Sequence, residues 1–187
     1  MGLSIHYSGC IRDEREISRL TEETEDICKT LGWRHGRISD ETLNGIYFNP
    51  DECEPLFLTF LAGGRTCSPA NLMMKEDFRE NGLDPELLYN VSVKTQYAGI
   101  EAHIAVIKLL RYLSEKYFSS FELIDEGQYW ETNDRAVLEQ QFNRYNAMLD
   151  AVVGALEKLT AKPGETVASL VARIEQLLEK LSRDRGI

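Results

Sequence analysis

His103, Asp125, Glu126 and Lys94 are the residues of this chain whose types and placing best suit chemistry. His103 stands one helical turn past Gly99, at the centre of an apolar helical face, where an imidazole can serve as a general base or a metal ligand. Asp125 and Glu126 are adjacent acids closing a strand-like run, placed to polarise that histidine or to do acid/base work themselves. Lys94 and Gln96 share one strand face, which strand pairing can bring near His6. Together with Tyr97, and with Trp130 as an aromatic wall, these three make a candidate binding set for a small anionic ligand.

Each of these residues also has a plainer reading. A lone histidine on an apolar face is most often a core residue bonded to a carboxylate or the backbone. Asp125-Glu126-Gly127 fits a tight hairpin loop with glycine at the positive-φ position, leading into a return strand over Gln128 to Glu131. Lys94 and Gln96 suit the solvated face of an edge strand, and Tyr129 and Trp130 suit packing on a helix. Gly63-Gly64-Arg65-Thr66 lacks the spacing of a phosphate-binding loop and reads as a turn. There is no Gly-x-Ser-x-Gly elbow and no signature joining a cysteine to a histidine and an acid.

The elements that must position these residues follow from periodicity. Leu3, Ile5 and Tyr7 alternate as a half-buried strand that Gly9 is expected to end. Asp13 and Glu16 resemble a capping box ahead of a helix whose apolar face runs from Ile17 to Leu31, with Gly32 as its C-cap. Gly45 to Phe48 and Leu56 to Leu61 read as a hairpin. Residues 62 to 90 break into short pieces, one of them a helix capped by Ser68 with Pro69 at its first position. Val91 to Tyr97 is a strand, Ile100 to Phe118 a helix, and Phe121 to Ile124 a strand. The expected fold is α+β: a two-layer sandwich of β-α-β-β-β-α-β type, with a mainly antiparallel sheet.

A different pattern begins after Thr132. Leu138, Phe142, Tyr145, Leu149, Val152, Leu156 and Leu159 step by four and three. After Lys162-Pro163-Gly164 the pattern resumes with Val167, Leu170, Ile174, Leu177 and Leu181. Residues 133–187 are therefore expected to form a helical hairpin, and its widened apolar stripe favours packing on a second copy as a homodimer. Charge divides at the same place. Residues 1–132 hold 23 acidic and 13 basic side chains, whereas residues 133–187 hold eight of each.

An acidic body with no basic stripe repels phosphate backbones, so nucleic acid is not expected as a partner, while a basic protein is. No run is long enough to cross a bilayer and the first residues lack a signal-peptide pattern, so the expected location is the cytoplasm, without a membrane. Cys10, Cys28, Cys53 and Cys67 show no metal-ligand spacing with the three histidines and are expected as free thiols.

The block Lys94-Thr95-Gln96-Tyr97-Ala98-Gly99 through His103, followed by Asp125-Glu126-Gly127-Gln128-Tyr129-Trp130-Glu131-Thr132, resembles the signature of a group of uncharacterised bacterial proteins. That resemblance implies no activity, fold or ligand. The leading expectation is a non-enzymatic interaction or regulatory protein that self-associates through its C-terminal helices and needs no cofactor. The alternatives are an enzyme using a His103-centred pocket on a small anionic substrate, or divalent metal held by His103 and His6 with the carboxylates.

Overall fold

The computed structural model describes residues 3–157, 166 and 169–176. The chain falls into two compact units, Met1–Phe142 and Asn143–Ile187.

In the first unit, strand β1 (Ser4–Ile11) buries Ile5, Tyr7 and Ile11, leaving His6 and Ser8 on the other face. It continues through Gly9 rather than stopping there. Strands β5 (Val91–Lys94) and β6 (Phe118–Asp125) flank it, both antiparallel, with Ile5 opposite Val93 on one side and Asp125 on the other. A second antiparallel sheet comprises β2 (Arg34–Ser39), β3 (Asn44–Asn49) and β4 (Leu56–Phe60), in that order. The expected β3–β4 hairpin forms, with Ile46 opposite Leu58. The fold is therefore α+β, with two three-stranded sheets among the described residues where a single mainly antiparallel sheet was expected. Paired bridges at Cys10–Arg65 and Phe60–Thr66 join them, and the Gly63-Gly64 turn precedes those bridges. Tyr7 adds a side-chain link, its hydroxyl donating to Phe57 O at 2.8 Å.

Helix α1 (Ile17–Leu31) lays Leu20, Thr24 and Cys28 on the second sheet and ends at Gly32, which takes the expected left-handed conformation at φ 72°. Asp13 caps Arg15 N–H at 3.0 Å, while Glu16 turns to Arg19 instead of completing a capping box. Helix α2 (Pro69–Met73) is capped by Ser68 as its sequence predicts, the hydroxyl accepting from Asn71 N at 3.1 Å. Helix α3 (Lys75–Glu80) and a 3-10 turn (Pro85–Tyr89) complete the insertion before β5. Helix α4 (Gly99–Tyr117) buries His103, Val106, Leu110, Leu113 and Tyr117. Short α5 (Tyr129–Thr132) and long α6 (Arg135–Glu157) follow β6.

The return strand expected over Gln128 to Glu131 is not formed. The Asp125 carboxylate instead accepts from the N–H groups of Tyr129 and Trp130, at 2.8 and 3.0 Å, and so starts a helix there. The left-handed residue of that turn is Gln128, at φ 61°, rather than Gly127.

Glu23 clamps α1 to α4. It receives the Lys116 ammonium at 2.7 Å and the hydroxyls of Tyr112 and Tyr117. Partial burial pushes its carboxyl up, but these three donors more than offset that and hold it at about 2. Its folded-state value is depressed, so its contribution is full above the ordinary carboxylate range and fades as pH falls toward about 2. Glu23→Gln is expected to destabilise at pH 7 and to be indistinguishable from the parent near pH 2, read by urea melts at both. An equal loss at both pH values would refute the clamp.

In the second unit, α6 continues through Asn143, and residues 169–176 are helical. The Lys162-Pro163-Gly164 turn and the seam positions Leu159, Val167, Leu177 and Leu181 lie outside the described residues. The compact boundary falls within α6, between Phe142 and Asn143, because Leu138 and Phe142 are buried in the first unit. No described helix is long and apolar enough to cross a membrane.

Candidate functional site

Thr95 continues the pairing of β5 by one residue, its N–H donating to Leu3 O at 3.1 Å, before a turn closed by Ala98 N–H on Thr95 O leads into α4. Gly99, at φ 83°, makes that entry, and one turn later His103 points back toward the ends of β5 and β6. Its Nδ1 shares a 2.7 Å hydrogen bond with Thr95 Oγ1, and its Nε2 lies 3.0 Å from Asp125 Oδ1. The contact with Asp125 does not meet hydrogen-bond geometry, so it is a close electrostatic pairing more than a directed bond. Phe142 stands edge-on to the imidazole, centroids 5.9 Å apart.

Asp125 is saturated by backbone. Oδ1 accepts from Gly127 N at 2.7 Å while Oδ2 takes the two α5 amides. Burial pushes the carboxyl up; the contact with His103 and the bonds from Trp130 and Gly127 outweigh it, and the group ends below the usual carboxylate range. Gly127 is required here by proximity: a Cβ would sit 2.9 Å from His103 Nε2, 3.0 Å from Asp125 Oδ1 and 2.5 Å from Leu138 Cδ1. Thr95, His103 and Asp125 thus tie the start of β1, the end of β5, α4, the end of β6 and α5 into one polar node.

Both side chains of the His103–Asp125 pair have zero exposure. A hydroxyl on one imidazole nitrogen and a carboxylate by the other have the components of a proton relay, yet no substrate atom can reach Nε2 or Thr95 Oγ1 while the core is closed. What the arrangement does as it stands is neutralise buried polar groups.

The remaining sequence candidates go elsewhere. Glu126, next to Asp125, lies on the opposite face: its N–H donates to Ser4 O, its carboxylate accepts from Ser4 N at 2.7 Å, and it faces His6 Nε2 at 3.8 Å. His6 Nδ1 bonds Ser92 Oγ, so the two histidines serve different sides of one sheet. Lys94 has its backbone bound to Glu54, Tyr97 is 67% exposed, and Gln96 is buried with neither amide atom bonded. Trp130 packs at a 53° tilt against Phe121 and lies under the Arg111 guanidinium. The expected anionic-ligand set is therefore not assembled around His103. Among the described residues no group of three or more His, Cys, Asp or Glu side chains is placed for a metal ion.

All four thiols are free, as expected. Burial pushes Cys28 and Cys67 up to about 11 and Cys53 to about 12, away from nucleophilic use. Thr95 is the site residue that sequence reasoning passed over. Its signal was parity: it shares the buried side of β5 with Val91 and Val93, where a hydroxyl needs a partner.

A second feature lies on the exposed side of the first sheet. A groove of about 690 Å³ crosses β1 at His6 and Ser8, from the 3-10 turn with Asp84, Glu86 and Leu87 to Glu122, Ile124 and, around the edge of β6, Trp130. None of the described residues lining it is Lys or Arg. No family model, curated protein or solved structure matches this chain.

Proposed function

We propose that this is a non-enzymatic interaction protein whose acidic first unit takes a basic segment of a partner protein and whose C-terminal helices self-associate. The groove over β1 and β6 carries the first half. Asp84, Glu86 and Glu122 supply one sign of charge, and Leu87 at 40% and Ile124 at 67% exposure supply apolar contact beside it. That combination suits a chain carrying both arginine or lysine and aliphatic side chains, and it repels phosphate. Glu86 is already paired with Arg65, which leaves Asp84 and Glu122 as the charges answering a partner. Self-association is supported by Val153 and Val171, 51% and 45% exposed beside the heptad seam, where they widen the apolar stripe.

Titration with a decapeptide alternating arginine and valine tests the groove, with its glutamate–valine counterpart as control. Binding of the basic peptide alone, weakened by salt, is the expected result. No binding at millimolar peptide, or equal binding of both peptides, would end this assignment. Sedimentation returning a monomer at micromolar concentration would remove the self-association half.

A further inference from the structure

The two sheets have four outer edges, and three of them are guarded. The outer edge of β5 is closed by Glu54, whose N–H donates to Lys94 O at 3.3 Å and whose carboxylate accepts from Lys94 N at 2.9 Å. That of β4 is covered by the returning chain, with Leu61 N–H on Arg65 O at 3.0 Å and Cys67 N–H on Thr59 O at 2.9 Å. Strand β2 carries Arg34 and Arg37, charged side chains that discourage strand-on-strand association. Strand β6 is capped only at its ends, where Arg12 Nε donates to Phe118 O at 3.1 Å and Gln128 N–H to Asp125 O at 2.9 Å, and its middle carries no such device. It runs eight residues, FSSFELID, without Pro, Lys or Arg; its one described strand partner is β1, which leaves the other edge open. Ser119, Ser120, Glu122 and Ile124 are exposed along it.

We infer that the open edge of β6 receives an extended segment of the basic partner as an added antiparallel or parallel strand. This rests on the binding assignment above and adds the manner of docking. A strand lying about 4.8 Å beyond β6 would satisfy the outward N–H and C=O groups of Phe121 and Leu123, because the register turns those of Ser120, Glu122 and Ile124 toward β1. Side chains decide which segment fits. Ser120, Glu122 and Ile124 point to the outer face, where a basic residue meets Glu122 and an aliphatic one meets Ile124. Phe121 and Leu123 point to the other face, where Trp130 extends the apolar floor at 6.0 Å from the Phe121 ring. The groove wraps the same edge, touching Glu122 and Ile124 on one side and Trp130 on the other. The occupant is therefore a stretch alternating basic and apolar residues. A second copy of this chain would bring Glu122 and an acidic body against another acidic body, which charge disfavours.

The test compares the arginine–valine decapeptide with the same peptide N-methylated at every amide, which keeps its charge and side chains but has no N–H to donate from either edge. The intact protein is titrated with each while amide hydrogen exchange is followed. The expected result is binding of the unmodified peptide with slowed exchange at the outward amides of Phe121 and Leu123. Affinity should fall on the order of tenfold on N-methylation, and similarly with Glu122→Lys. Equal affinity of the two peptides would overturn strand addition while leaving groove binding intact. Failure of both peptides to bind would overturn both. Slowed exchange at Phe121 and Leu123 on raising protein concentration without peptide would overturn it in favour of a second copy at this edge.

Discussion

Asp125→Ala is expected to destabilise the protein by about 3–5 kcal/mol, the cost of leaving three backbone N–H groups without their acceptor. The melting temperature should fall by roughly 10 °C. The magnitude follows from what the carboxylate holds. It satisfies Gly127, Tyr129 and Trp130 N–H groups and sits 3.0 Å from His103 Nε2, all out of solvent. Alanine leaves the three amides without an acceptor and removes the cap that starts α5. Asp125→Asn keeps an acceptor oxygen and should cost less, about 1–2 kcal/mol. Replacing His103 by leucine as well should not rescue Asp125→Ala, since the backbone amides stay unpaired. Urea melts of the three variants measure this, and an Asp125→Ala midpoint equal to the parent's would show that the node contributes nothing.

Gly45→Ala should be comparably damaging, at about 3 kcal/mol or more, from a site with no polar side chain at all. Gly45 lies in the middle strand of the second sheet at φ 147°, and a Cβ there would stand 2.0 Å from the main-chain oxygen of Leu58. Relief requires moving β4, which also carries the Phe57 backbone bonded by Tyr7. Gly63→Ala provides the contrast. Its φ is 90° but nothing lies within 4 Å, so the backbone term alone should appear, about 1 kcal/mol. If the two alanine variants melted together, crowding against Leu58 would not be the reason for Gly45.

Local signals carried much of the fold. The alternation of Leu3, Ile5 and Tyr7, the helical face from Ile17 to Leu31 with its Gly32 cap, the Ser68-Pro69 helix start and the apolar face of α4 each involve residues within a few positions of one another. Strand β2 was not anticipated because Arg34-His35-Gly36-Arg37-Ile38-Ser39 has little apolar alternation; it is a strand because β3 pairs with it and α1 packs on it. The segment after Asp125 misled for a related reason. Tyr and Trp favour strands in isolation, whereas a carboxylate placed to accept their N–H groups turned the same residues into a helix.

The amphipathic helices α1 and α4, the alternating strand β1, the Gly32 cap and the acidic balance were thus determined by the chain's own order of residues, since propensity, capping and period act over one or two turns. The partners of those residues were decided only in three dimensions. Thr95, His103 and Asp125 meet because β5 and β6 flank β1 and α4 crosses them; adjacent Asp125 and Glu126 part to opposite faces because side chains alternate along a strand. The sealing of His103 and the open edge of β6 have the same origin. Both depend on which elements lie alongside which, and no short stretch of sequence records that.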